Sequence, residues 1–145
     1  MTLKLVIGLD GHESGERAMA HALRLIETAG GGDLVVAYVI EWSPFSFQTA
    51  EENAQRHKRR EEEISMANDR VVAPAVAKLK DAGQAATGIV RHGDVADTLN
   101  AIASENGADQ IVVGRSSEGG FSKRIFGSST SNLVMSAAVP VTVVP

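Results

Sequence analysis

The residues of this 145-residue chain that are best suited to chemistry lie in a glycine-bearing loop in its last third. The loop holds Arg115, Lys123 and Arg124 against one acid, Glu118, so it carries a local charge of +2 in a chain whose formal net charge is -4. Gly127 then leads into a predicted helix, whose unpaired backbone N–H groups and dipole favour an anion. The loop therefore predicts a site for one phosphate-bearing or other small anionic ligand.

A second glycine-bearing loop, at residues 10–14, follows the first apolar segment. Ligands of open parallel sheets bind beyond the carboxyl ends of the strands, where the winding reverses. A strand order of 3-2-1-4-5 would bring Asp10 beside Gly114, where the missing Cβ lets a ligand approach the backbone. Asp10 has two interpretations, a ligand contact or an Asx-turn residue that organises its own loop. Each glycine alone is typical of a turn or cap, and the joint placement favours binding.

Apolar segments that are typical of buried strands alternate with segments of helical periodicity along the chain. The predicted strands are residues 3–9, 33–40, 86–92, 109–114 and 140–144. The predicted helices run from residue 14 to the glycines at 30–32, from about 51 to 82, from the N-cap Asp94 to 107, and from 128 to 138. This alternation predicts a three-layer α/β/α sandwich around a five-stranded parallel sheet.

The long second helix is rich in charge, but its acids and bases nearly cancel, which is typical of a solvated helix face. We expect Pro74 to kink or restart this helix. The histidines have no metal-ligand spacing. His12 is expected near the bound anion, His92 is interpreted as a structural residue at the end of the third strand, and His21 and His57 as surface or boundary residues.

Composition excludes several function classes. The chain has no Cys, which removes disulfides, thiolate metal sites and thiol nucleophiles. Its pI near 5.5 gives no overall attraction to nucleic acid or anionic membranes. The apolar run before Asp10 is too short for a signal peptide, and no run approaches the roughly 20 residues of a membrane span. We therefore expect one cytoplasmic domain over residues 1–145.

No familiar catalytic motif is present. The chain lacks a G-x-S-x-G nucleophile elbow, a P-loop and the G-x-G-x-x-G dinucleotide motif. A phosphorelay receiver would need paired acids after the first strand, where Asp10 stands without a second acid beside it. We therefore predict a binding protein rather than an enzyme.

The spacing Gly114-x2-Ser117-x9-Gly127-Ser128 is similar to the G-x2-G-x9-G-[S/T] signature of ATP-binding universal stress proteins. The resemblance extends over the whole chain and implies the adenine nucleotide alpha hydrolase-like fold. Four other segments resemble the family: VIGLDG with the following Ser14, AYVI, GDVADTLNAIASENGADQIVVG and SAAVPVTVV. Ser117 departs from the signature, because the family has glycine there and serine tolerates a positive φ less well.

The resemblance implies that the ligand is ATP or another adenine nucleotide, alone or with Mg²⁺. Because the chain has no familiar catalytic motif, we expect ATP hydrolysis to be at most slow. It implies an adenine pocket formed by Gly8, Leu9, Val39 and Val113, with Asp10 facing the ribose or a phosphate-bound ion. It also implies a phosphate cradle formed by Gly114, Arg115, Ser117, Gly127, Ser128 and Ser129.

Two functions from different classes remain open at this point. One is a nucleotide-dependent regulatory protein of the stress response, and the other is a nucleotide-free interaction module that uses the same loop. The last predicted strand would form a sheet edge with Val141 and Val143 alternating, and an apolar edge tends to be paired or covered. The resemblance implies a homodimer through this strand, and the alternative is a monomer whose short edge is flanked by Pro140 and Pro145.

Overall fold

The elements follow one another in the predicted alternation. The computed structural model describes residues 2–41, 50–115 and 128–145. The strands are β1 (Leu3–Leu9), β2 (Gly32–Glu41), β3 (Ala85–Gly93), β4 (Gln110–Gly114) and β5 (Val141–Val144). The helices are α1 (Glu13–Thr28), α2 (Ala50–Ala67), α3 (Ala73–Asp81), α4 (Val95–Asn106) and α5 (Ser128–Ser136). None of the helices within these ranges is both long and apolar enough to cross a membrane.

The described strands form one five-stranded sheet in the order β3-β2-β1-β4-β5, and every neighbouring pair is parallel. This confirms the predicted fold. Successive residues of β1 point to opposite faces of the sheet. Leu5 and Ile7 pack with α1 and α3, whereas Val6 packs with α4 and α5. Two cores, one on each face, therefore hold the carboxyl ends of β1 and β4 side by side.

The predicted helix over residues 51–82 is two helices, separated by a π-helical turn at Asn68–Val72. The wider turn accompanies the complete burial of Val72, whose side chain lies where a Cβ on Gly88 of β3 would have to be. Pro74 stands in the first turn of α3, where its missing N–H costs nothing. Proline thus restarts the helix as predicted, but periodicity alone did not indicate the turn before it.

Helix α4 is held near both ends by hydrogen bonds of charged side chains. The Asp94 carboxylate accepts a hydrogen bond from the backbone N–H of Asp97 at 3.0 Å, so it is the N-cap that the sequence predicted. Arg91 of β3 donates two hydrogen bonds to the Glu105 carboxylate of α4, at 3.2 and 2.6 Å. These hydrogen bonds lower the pKa of Glu105.

Candidate functional site

A cleft of about 450 Å³ opens over the carboxyl ends of β1, β2 and β4. It lies at the point where the sheet winding reverses between β1 and β4, which is where ligands bind in folds of this type. Its volume is within the range of small-molecule sites. Eight of the predicted site residues line this cleft: Gly8, Leu9, Asp10, Val39, Val113, Gly114, Ser128 and Ser129.

Gly8 forms part of the cleft floor, and a side chain at this position would fit only if its neighbours shifted. An added Cβ would lie 2.9 Å from Cδ1 of Leu99 and 3.0 Å from Cγ1 of Val113. Leu99 of α4 is 2% exposed, and Val113 and Val39 are also buried. This part of the lining is therefore apolar, which suits the face of an aromatic ring.

Gly114 ends β4 directly against the start of α1. A Cβ at this position would overlap the backbone carbonyl of Ser14. Glycine is required here by the close approach of β4 to α1, and Gly114 also lines the cleft.

Asp10 organises the turn between β1 and α1. Its Oδ1 accepts a hydrogen bond from the backbone N–H of His12 at 2.9 Å, and its Oδ2 accepts one from the hydroxyl of Ser14. Gly11, between them, has φ +80°, and the ring of Tyr38 lies 3.4 Å from the place of its absent Cβ. The carboxylate therefore has the Asx-turn role that was one of its two interpretations, and it also lines the cleft.

The predicted phosphate cradle divides into a part that the structure describes and a part that it does not. Ser128 and Ser129 begin α5 and line the cleft together with Thr130. The first N–H groups of a helix have no partner within that helix, and the helix dipole adds positive potential there. Ser117 and Gly127 lie outside the described residues, so their proposed contacts remain predictions.

Arg115 is placed differently from the other predicted residues, because the described part of the cleft does not include it. Its backbone N–H donates to the carbonyl of Val144 at 2.7 Å, and its own carbonyl accepts a hydrogen bond from Arg17 Nη2 at 3.2 Å. The backbone of Arg115 thus anchors the start of the basic loop to β5 and α1.

Two histidines contact glutamates of α2, and a third lines the cleft. His92 contacts Glu63 of α2 through Nε2 at 2.9 Å, with a side chain only 8% exposed, which fits its interpretation as a structural residue. His57 contacts Glu61 at 3.1 Å on the exposed face of α2. His12 lines the cleft. The described ranges contain no group of three metal-ligating side chains.

Sequence reasoning missed several residues of the cleft, most of them from two elements. These are Tyr38, Ile40 and Glu41 at the end of β2, Val95 and Leu99 of α4, and Thr130 of α5. A usable signal existed for Glu41. Alternation along β2 places it on the same face as Val39, but the predicted strand ended one residue too early.

Comparison with known proteins agrees with the fold. The model of the universal stress protein family matches residues 1–145. No curated protein sequence matches the chain. Among solved structures, the universal stress protein UspA from Lactobacillus plantarum aligns with a TM-score of 0.78 at 18% identity, covering 99% of this chain and 97% of that one.

Two further structural neighbours were solved with nucleotides. A universal stress protein in complex with cAMP has a TM-score of 0.61 at 23% identity, with 99% of this chain and 97% of that chain covered. The universal stress protein from Archaeoglobus fulgidus in complex with dAMP has a TM-score of 0.61 at 17% identity, with coverages of 99% and 98%.

Proposed function

The chain belongs to the universal stress protein family, and we propose that it binds ATP or a related adenine nucleotide and acts as a nucleotide-dependent regulatory protein of the stress response. The observation that carries the proposal is the cleft between β1 and β4, whose lining combines buried apolar side chains with the first residues of α5. A nucleotide has the same division between an aromatic base and anionic phosphates.

The apolar end of the cleft suits the base. Gly8, Val39 and Val113 would contact the adenine ring, and Leu99 supports them from α4. Leu9 lines the cleft beside Gly8. Relatives of the same fold were solved with cAMP and dAMP, which supports an adenine nucleotide as the ligand class.

The α5 end of the cleft suits the phosphates. Ser128 and Ser129 would donate backbone N–H groups and hydroxyls to phosphate oxygens. We propose that Gly114, Arg115, Ser117 and Gly127 complete this cradle, as the glycine signature implies. Arg115 contributes through the anchored backbone described above.

Asp10 is proposed to face the ribose, because its carboxylate is held in place by two hydrogen bonds at the cleft wall. Mg²⁺ would reach the cleft bound to the nucleotide phosphates rather than to a preformed protein site, since the described residues hold no group of three metal-ligating side chains. The proposal includes no catalytic residue, and it places the protein in the cytoplasm as a single domain. It involves neither nucleic acid nor a membrane.

Ligand-dependent stabilisation tests this function directly. ATP at about 100 times its dissociation constant should raise the free energy of unfolding by about 2.7 kcal/mol, because only the folded chain binds it. Urea unfolding followed by circular dichroism, with ATP, ADP, AMP or cAMP and with or without Mg²⁺, measures this change. CTP serves as the control for nonspecific phosphate binding. The absence of any effect from all the adenine nucleotides would leave the nucleotide-free interaction module as the better proposal.

The edge of the sheet supports a second part of the proposal, a homodimer through β5. Within the described residues β5 pairs with β4 on one side, and Val141 and Val143 are only half-buried. Pairing across a two-fold axis would satisfy and cover this edge. Sedimentation velocity at micromolar concentration should show a dimer, and a monomer throughout that range would contradict the pairing.

A further inference from the structure

Glu41 is an exposed charged side chain of the cleft lining that the glycine signature does not include. It is the last residue of β2, and its register partner is Gly93, which lies two residues before the start of α4 at Val95. Strand alternation gives Glu41 the same face of the sheet as Val39. Glu41 and Val95 both line the cleft.

The Glu41 carboxylate has no hydrogen-bond or ion-pair partner in the part of the chain that the structure describes. An ionised carboxylate accepts hydrogen bonds and donates none. It would therefore attract a ligand group that carries N–H or O–H donors, and it would repel a phosphate. The N-terminus of α5 lies at another part of the same cleft and has the opposite preference.

We propose that Glu41 is a specificity-determining residue, which accepts a hydrogen bond from the 6-amino group of the adenine base. This inference rests on the proposed nucleotide function. The apolar side chains of the cleft would bind the faces of any base, so they discriminate weakly, whereas a polar group at the base edge separates ligands by their donors. The same carboxylate orients the nucleotide, with the base toward β2 and the phosphates toward α5.

The test compares two ligands that differ only in the 6-amino group, the proposed hydrogen-bond donor to Glu41. AMP carries the 6-amino group, and purine riboside 5′-monophosphate has hydrogen in its place. Dissociation constants for both are measured by isothermal titration calorimetry with the wild type, Glu41→Ala and Glu41→Gln. Glu27→Ala is the matched control, because it removes an exposed carboxylate near the end of α1, away from the residues that line the cleft.

We expect the wild type to prefer AMP over purine riboside 5′-monophosphate by about tenfold, which is the scale of one partly exposed hydrogen bond to a charged group. Glu41→Ala should bring the ratio close to one, and Glu41→Gln should leave an intermediate ratio, because its carbonyl still accepts a hydrogen bond. Glu27→Ala should keep the wild-type ratio.

Equal binding of the two ligands by the wild type would overturn the assignment, and so would a ratio that Glu41→Ala leaves unchanged. A preference for GMP over AMP that disappears in Glu41→Ala would also overturn it. The carboxylate would then accept hydrogen bonds from N1–H and the 2-amino group of guanine. In each of these cases nucleotide binding itself stands. If the wild type binds none of these nucleotides, the proposed function fails and the assignment fails with it.

Discussion

Gly114→Ala is expected to lower the free energy of unfolding by about 3 kcal/mol, at the upper end of the usual cost of overpacking. The added methyl group would overlap the backbone carbonyl of Ser14, and no rotamer change can move a backbone atom away. β4 and α1 would have to separate. Their separation would also disturb the hydrogen bond between Ser14 and Asp10, and with it the cleft wall.

The cost of Gly114→Ala can be measured by urea unfolding followed by circular dichroism, and by a fall of about 6–12 °C in Tm for a domain of this size. Gly15→Ala is the matched control. Its Cβ would lie 3.0 Å from Cδ2 of Leu9, the end of a flexible side chain, and alanine is favoured over glycine in a helix by about 1 kcal/mol. We expect Gly15→Ala to change stability by less than about 1 kcal/mol. If Gly114→Ala proved as stable as Gly15→Ala, β4 and α1 could not approach as closely as described.

Gly8→Val is expected to weaken adenine nucleotide binding by about 100-fold while the protein stays folded. Valine would place methyl groups on the cleft floor, where the base is proposed to lie. Its nearest neighbours are the side-chain ends of Leu99 and Val113, at 2.9 and 3.0 Å from the new Cβ. These can shift only in part around three added carbons, so the cost in stability should be about 2 kcal/mol.

Titration calorimetry with ATP, together with urea unfolding in its absence, separates these two effects. Gly8→Ala provides a graded comparison, with a smaller loss of affinity because it adds only one carbon to the floor. Adding Leu99→Ala to Gly8→Val should restore room for the valine and so test whether the loss of stability comes from that contact. Wild-type affinity in a folded Gly8→Val protein would place the nucleotide elsewhere.

The order of the elements, and most of their ends to within two residues, could be predicted from the sequence, because local patterns determine them. β1 has the predicted bounds, since an apolar run that ends at Asp10-Gly11 is both a strand and its stop signal. Asp94 caps α4 as its residue type and position indicate. The parallel sheet order then brings the ends of β1 and β4 together, so the position of the cleft follows from topology.

The tertiary structure alone decided which side chains share the cleft and which conformations they adopt. Leu99 reaches it because α4 crosses the same face of the sheet as Val39 and Val113. The turn before α3 is π-helical where Val72 is buried against Gly88, a contact between residues of different elements. Gly114 ends β4 against the backbone of Ser14, which belongs to a segment far earlier in the chain. Sequence patterns indicate interactions between near neighbours, whereas the contacts named here join segments that are distant in the chain.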